Sequence, residues 1–239
     1  MNIALIFAGG TGQRMNTRAV PKQFLKLHGK PLIIYTLEQF ENHPQIDGIV
    51  ISCLESHLSY MKSLAQKYGI SKVSAIVPGG ETGQESICHG LQAAEKQYPP
   101  DSIVLVHDGV RPLIDEDTIT KNIESVKKYG SAITVTPAVE TVTVDNEGNQ
   151  IGQIVKRSRC QIAKAPQSFY LGELLDAHKK AATEQNFSFI DSASLMQHYG
   201  HTLFTVEGKP ENIKITTPMD FYIFRAIEDA RENSQIFGL

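Results

Sequence analysis

Five stretches of this chain are apolar at nearly every position: "IALIFAG" (3–9), "GIVISCL" (48–54), "SAIVPGG" (74–80), "SIVLVHDG" (102–109) and "SAITVTP" (131–137). A strand with one wet face alternates apolar and polar residues, so continuous Val, Ile and Leu runs require cover on both faces. The intervening segments supply it. Ile33, Leu37 and Phe40 fall on one helical stripe, as do Leu58, Met61 and Ala65 in a segment that opens at Ser56 and stops at Gly69. Strand and helix alternating in this way predict an α/β fold, a mostly parallel twisted sheet with helices on both faces.

After Pro137 the rhythm changes. "VETVTV" and "IGQIV" are extended runs joined by "DNEGN", a turn built from Asp, Asn and Gly, so a projecting hairpin is expected. "RSRCQIAKAPQSF" follows, then a helix from near Leu171, a shorter one over 192–199, a strand within "HTLFTVEG" and a last helix opened by "TTPMD". There Thr217 is placed to cap, Pro218 takes the first helical position and Asp220 the first turn. With no repeat, low-complexity tract or linker, residues 1–239 read as one domain carrying a β-arm over 137–163.

Composition excludes several classes. A net charge of −3 with scattered Lys and Arg argues against a general nucleic-acid surface. No apolar stretch approaches the roughly 20 residues needed to cross a bilayer, and "MNIALIF" lacks the features of a secretory signal, so a cytoplasmic location is expected. Cys53, Cys88 and Cys160 are odd in number and widely spaced, which points to small buried hydrophobes rather than a disulfide or zinc framework.

The chemistry begins in "FAGGTGQRM" (7–15), a glycine-rich loop at the end of the first strand. That end of a parallel sheet is where ligands bind, and glycines let backbone N–H groups approach an anion. The spacing fits neither GxGxxG nor a Walker A loop. Its distinguishing feature is a pair of cations, Arg14 and Lys22, able to reach one polyanion; a glycine turn flanked by two solvated basic residues would read the same in isolation. The second cluster is "VHDGVRP" (106–112), with Asp108 at a strand terminus beside Arg111. Asp108 is placed to position Mg²⁺ or a substrate hydroxyl and Arg111 to answer a phosphate, unless the two simply tie the turn. His107 reads as a packed strand residue. The third cluster, "NIKITTP" (212–218), sets Lys214 on the face opposite Ile213 and Ile215.

Taken in order, "AGGTGQRM", "PKQF", "GGETGQESI", "HDGVRP", "APQSF" and "NIKITTP" resemble the CTP-dependent polyol-phosphate cytidylyltransferases, which include the methylerythritol-phosphate and ribitol-phosphate enzymes. The likeness runs from about residue 3 to residue 230. It implies a Rossmann-like nucleotidyltransferase fold whose β-arm reaches across a homodimer, with Mg²⁺ as cofactor. It further implies that Ala8, Gly9, Gly10 and Gly12 wrap the CTP, that Gly80, Glu81 and Ser86 meet its cytosine and ribose, and that Arg14, Lys22 and Lys214 serve its phosphates as catalytic groups. Asp108, Arg111 and Thr216 would then line the polyol-phosphate pocket, with Asp108 as the candidate metal ligand, and Arg157 would come from the partner's arm.

The implied reaction is attack of a polyol phosphate on the α-phosphorus of CTP, giving a CDP-polyol and pyrophosphate. The sequence leans toward ribitol 5-phosphate as acceptor. Lys22 stands eight positions after Arg14, the ribitol-type spacing; "HDGVRP" is nearer that type; Ile190 replaces a threonine usual in the methylerythritol type; and Gly83 stands where many members of both groups have arginine. Methylerythritol 4-phosphate is the alternative acceptor. A nucleotide-binding protein that has lost catalysis is a further alternative, disfavoured because Arg14, Lys22, Asp108 and Lys214 are all present, and the arm and "NIKITTP" disfavour a UTP- or GTP-dependent sugar nucleotidylyltransferase.

Overall fold

The computed structural model describes residues 1–9, 20–146, 148 and 150–237. In chain order the strands are β1 (Asn2–Ala8), β2 (Lys26–Leu27), β3 (Lys30–Pro31), β4 (Gly48–Cys53), β5 (Val73–Pro78), β6 (Ile103–Asp108), β7 (Ser131–Pro137), β8 (Val142–Asp145), β9 (Ile151–Val155), β10 (Gln161–Tyr170) and β11 (Thr205–Glu207). The helices are α1 (Leu32–Glu41), α2 (Leu58–Lys67), α3 (Gly83–Glu95), α4 (Glu116–Tyr129), α5 (Leu171–Thr183), α6 (Ser192–His198) and α7 (Pro218–Phe237).

Seven strands form one sheet in the order β11-β7-β10-β6-β1-β4-β5. Every neighbouring pair is parallel except those made by β10, which runs antiparallel to both β6 and β7. The expected mostly parallel sheet is therefore present with one reversed strand near its middle.

Period-two geometry divides the apolar runs between two cores. From β1, Ala4, Ile6 and Ala8 join Phe40 of α1, Met61 of α2 and Ile123 of α4. Ile3 and Leu5 join Leu91 of α3, Leu174 of α5 and Met196 of α6 on the other face. A smaller cluster, including Phe224, Ile215, Val110 and Tyr35, seats α7 against α1. Gly90 lets α3 approach closely, since a Cβ there would lie 3.0 Å from the Leu5 side chain.

Helix ends follow their local chemistry. Asp115 caps α4 by accepting from the Thr118 amide, and Gly130 closes it with φ of 84°. Thr217 accepts from the Asp220 amide at 3.3 Å and Asp220 accepts from the Thr217 amide at 2.7 Å, the expected start of α7. The α2 region differs from expectation: a 3₁₀ turn occupies Glu55–His57, and Ser56 hydrogen-bonds His57 Nδ1 rather than capping the helix. Of the cysteines only Cys53 is buried; Cys88 and Cys160 are half-buried, the first on the outer part of α3 and the second leading into β10.

The hairpin stands apart from the main sheet: β8 and β9 pair only with each other. Val139, Ile151 and Ile154 are 79%, 66% and 66% exposed, apolar surface left open among the described residues.

Leu5 lies wholly buried in the interior strand β1 under α3. Leu5→Ala is expected to lower the unfolding free energy by about 2–5 kcal/mol, read from the urea midpoint at unchanged m-value.

Candidate active site

Gly9 just after β1 and the loops after β5 and β6 converge at the carboxyl edge of the sheet, with the segment before α7 laid across the turn after β6. Asp108 closes β6 and pairs in register with Phe7 of β1. The tight turn that follows is held by Arg111 N donating to Asp108 O. Ile215 N donates to Val110 O at 2.9 Å, which docks the 212–216 segment onto that turn.

Asp108 is buried and carries two cations: Lys214 Nζ lies 2.6 Å from Oδ1 and Arg111 Nε 3.2 Å from Oδ2. Burial raises the pKa of such a carboxyl, but the charges of Arg111 and Lys214 outweigh it and hold Asp108 below the usual carboxylate range. Arg111 Nη1 also donates to Asn212 O at 2.7 Å. Lys214 rests 5.9 Å from the centre of the Phe7 ring and keeps 41% of its side chain exposed, so it can still meet a ligand.

Two cavities open on either side of this pair. The first, about 290 Å³, is lined by Ala8, Gly9, Lys22, Gly80, Glu81 and Ser86. Gln23, next to Lys22, is buried and donates to Ala8 O at 2.7 Å, tying the 3₁₀ turn Lys22–Phe24 to the end of β1. Ser86 sits between the two glycine loops: its hydroxyl accepts from Gly80 N at 3.0 Å and donates to Thr82 O at 2.9 Å. A Cβ at Gly9 or Gly79 would come within 3.0 or 2.9 Å of that hydroxyl, so the glycines let the backbone at these two positions approach it closely. Thr82 and Glu85 form a reciprocal capping box that starts α3 at the cavity floor.

The second cavity, about 380 Å³, is lined by Arg111, Lys164, Gln167, His178, Ile190 and Ser192 among others. Phe7, Gly83, Asp108 and Lys214 line both. Two glutamines set the second cavity's far wall. Gln84 Nε2 donates to Asn186 O and its Oε1 accepts from Phe189 N. Gln167 donates to Asp191 Oδ2 and accepts from Ala193 N, both at 2.8 Å. The loop between them presents Ile190, 93% exposed.

The structure thus brings together Ala8, Gly9, Lys22, Gly80, Glu81, Ser86, Asp108, Arg111 and Lys214. Gly10, Gly12 and Arg14 lie outside the described residues. Thr216 lines neither cavity; its amide and hydroxyl both donate to Asp220 Oδ2 at 2.8 Å. Arg157 is exposed on the turn after β9 and donates to Val139 O, away from both cavities of its own chain. Lys164, Gln84 and Gln167 escaped sequence reasoning because polar residues in a strand or helix carry no signature of their own. The TGQE capping-box pattern (82–85) was the one readable signal beside Gln84.

His107 is packed as expected, its Nε2–H donating to Arg111 O at 3.0 Å. Burial pushes the pKa of His107 and of His178 down to about 4. The unfolded chain takes up these two protons near pH 6.5, so their stabilising contribution is complete above that value and is lost as pH falls toward 4. Stability is expected to fall between pH 6.5 and 4.5 with a limiting slope of about 2.7 kcal/mol per pH unit from these two groups. Urea titrations across that range should show roughly half of this contribution removed in His178→Gln.

Comparison with known proteins places this geometry among relatives. Residues 2–229 match the family model described as IspD, 2-C-methyl-D-erythritol 4-phosphate cytidylyltransferase. A ribitol-5-phosphate cytidylyltransferase of Streptococcus agalactiae serotype V is 52% identical over 239 residues, covering all of both chains. A 2-C-methyl-D-erythritol 4-phosphate cytidylyltransferase of Clostridium botulinum is 36% identical, covering 93% of this chain and 95% of its own. Among solved structures, the 4-diphosphocytidyl-2C-methyl-D-erythritol synthase of Anaerococcus prevotii superposes with a TM-score of 0.81 at 26% identity, covering 95% of this chain and 96% of that one.

Proposed function

Because the chain belongs to the 2-C-methyl-D-erythritol 4-phosphate cytidylyltransferase family, we propose that it transfers a cytidylyl group from CTP to D-ribitol 5-phosphate, forming CDP-ribitol and pyrophosphate. The choice of acceptor follows the 52% identity to a ribitol-5-phosphate enzyme against 36% to a methylerythritol-phosphate one. The observation that carries the two-substrate reading is the pair of cavities sharing one wall, Asp108 and Lys214.

In this assignment the cavity lined by Ala8, Gly9, Gly80, Glu81 and Ser86 holds CTP, with Gly10, Gly12 and Arg14 completing its loop. The Arg111 side receives the acceptor. An oxygen of the acceptor phosphate attacks the α-phosphorus as the bond from that phosphorus to the pyrophosphate oxygen breaks. The nucleophile is already anionic, so no strong general base is needed; the barrier is the approach of one polyanion to another. Lys22 and Lys214 meet that barrier as cations held in place before the reaction begins. Asp108 serves by fixing Lys214 and Arg111 at the junction.

Mg²⁺ enters this reading as the companion of the triphosphate, whose oxygens supply its preferred ligands. Asp108 fits poorly as its ligand, because Oδ1 and Oδ2 are each already engaged by a cation, and no step here passes through the metal.

We assign the arm over 137–163 to homodimerisation, which would bring Arg157 to the partner's acceptor cavity. A two-stranded ribbon is marginal by itself, and exposed Ile151 and Ile154 give it an apolar face to bury against a second copy. The double variant Ile151→Asp, Ile154→Asp is expected to sediment as a monomer, with a raised acceptor KM and CTP binding little changed; a dimer of unaltered stability would count against the assignment.

The central test is pyrophosphate release with CTP and Mg²⁺ on ribitol 5-phosphate and methylerythritol 4-phosphate side by side, where turnover of the first alone is expected. Lys214→Ala should lower kcat by about a hundredfold or more, the scale of losing one preorganised electrostatic donor.

A further inference from the structure

One cation in the second cavity has no task in the mechanism above. Lys164 lines that cavity from β10, half-buried. Its Nζ donates to Pro210 O at 2.8 Å and to Asn212 O at 3.3 Å. Among the described residues no carboxylate forms an ion pair with it, whereas Lys214 is paired with Asp108. Arg111 Nη1 donates to the same Asn212 oxygen at 2.7 Å, so two cations converge on one neutral carbonyl. The charged side chains lining the cavity are Arg111, Lys164 and Lys214 against Asp108 and Asp191. Both carboxylates are already engaged, Asp108 by its two cations and Asp191 by Gln167 and the Ser194 amide. Burial, then the nearby charge of Arg111, holds the Lys164 pKa below its ordinary value, although Glu211 pulls the other way.

A partly desolvated ammonium beside a guanidinium, held only by dipoles, gains most from an anion. With two of its three N–H groups committed to carbonyls, one remains for a ligand. The local backbone suits this: the register of β10 against β7 shifts between Ala163 and Gln167, and Ala163, Lys164 and Ala165 in succession all line the cavity, which a regular strand would not allow.

We propose that Lys164 is a further acceptor-binding residue, its ammonium supplying positive charge to the phosphate of the polyol phosphate in the cavity it shares with Arg111. The inference rests on reading that cavity as the acceptor's. It explains how a cavity whose carboxylates are both engaged can concentrate a dianion, and it separates Lys164, which serves the acceptor, from Lys22, which serves the nucleotide.

The test is steady-state kinetics of Lys164→Gln, Lys164→Met and Lys164→Arg with ribitol 5-phosphate and CTP. Both neutral variants are expected to raise the acceptor KM about tenfold or more, with CTP KM changed less than about twofold, as losing one charge-assisted hydrogen bond implies. Lys164→Arg should recover most of the loss, and unchanged melting temperatures would separate the effect from misfolding. An unaltered acceptor KM in both neutral variants would overturn the proposal. So would an equal rise in CTP KM, or normal behaviour of Lys164→Gln beside an impaired Lys164→Met, which would make the partner a hydroxyl. If the wild-type protein turns over neither polyol phosphate, the parent reading fails. Calorimetric binding of inorganic phosphate then decides for Lys164 alone: about tenfold weaker binding in Lys164→Gln supports it and equal binding refutes it.

Discussion

The site is organised by one buried carboxylate shared between two cations. Asp108 alone at the end of β6 would carry a desolvation cost of several kcal/mol, which the close approach of Arg111 and Lys214 offsets. This requirement ties together distant parts of the chain. Lys214 arrives on a segment docked by Ile215 to Val110, and Arg111 reaches back to Asn212 O. Asn212 in turn donates from Nδ2 to Ala165 O at 2.8 Å, which draws β10 into the same network. Removing the carboxylate would leave two buried or half-buried cations repelling each other at the junction of the two cavities.

The reversed strand has a consequence for where chemistry can sit. In a parallel sheet the ligand edge is the carboxyl end of the strands. β10 runs the other way, and its pairing of Gln167 with Val106 and Tyr170 with Ile103 puts residues before 167 beyond Val106, level with Asp108 and the loop after it. The amino-terminal half of β10 is therefore delivered to the ligand edge, directly from the arm. A parallel strand in the same slot would have entered from the opposite edge. The antiparallel insertion thus couples the arm to the cavity lined by Arg111 and Lys164 through only the turn Arg157–Arg159 and a few residues of strand.

Much of this was readable from residue order because burial on both faces leaves a continuous apolar run, and β1, β4, β6 and β7 lie where those runs are. β10 was not. Lys164, Pro166 and Gln167 interrupt its apolar pattern, and a proline argues against a central strand unless the ladder is irregular, as it is between Ala163 and Gln167. β11 contracts to Thr205–Glu207 from the longer run "HTLFTVEG", because only those residues pair with β7. At the site, Asp108, Arg111 and Lys214 were legible because a carboxylate and cations at strand ends are chemically conspicuous. Thr216, expected to line the pocket, instead gives its hydroxyl to Asp220 at the start of α7, a local contest that residue type alone does not decide. Lys164, Gln84 and Gln167 were hidden because their roles depend on tertiary partners.

Two lining positions, Gly83 and Ile190, share a physical property. A Cβ at Gly83 would meet nothing within 4 Å, although the residue lines both cavities. Ile190 is 93% exposed on a loop whose backbone is held by Gln84 and Gln167 on either side. Gly83 has open space where a side chain would stand and the Ile190 side chain faces solvent, so packing fixes the residue type at neither position. Substituting them changes the lining of the second cavity while leaving the glutamine supports and the Asp108 junction untouched. A scaffold arranged in this way can change the lining of that cavity without refolding, because the charged junction of Asp108, Arg111 and Lys214 and the exposed lining positions are carried by different residues.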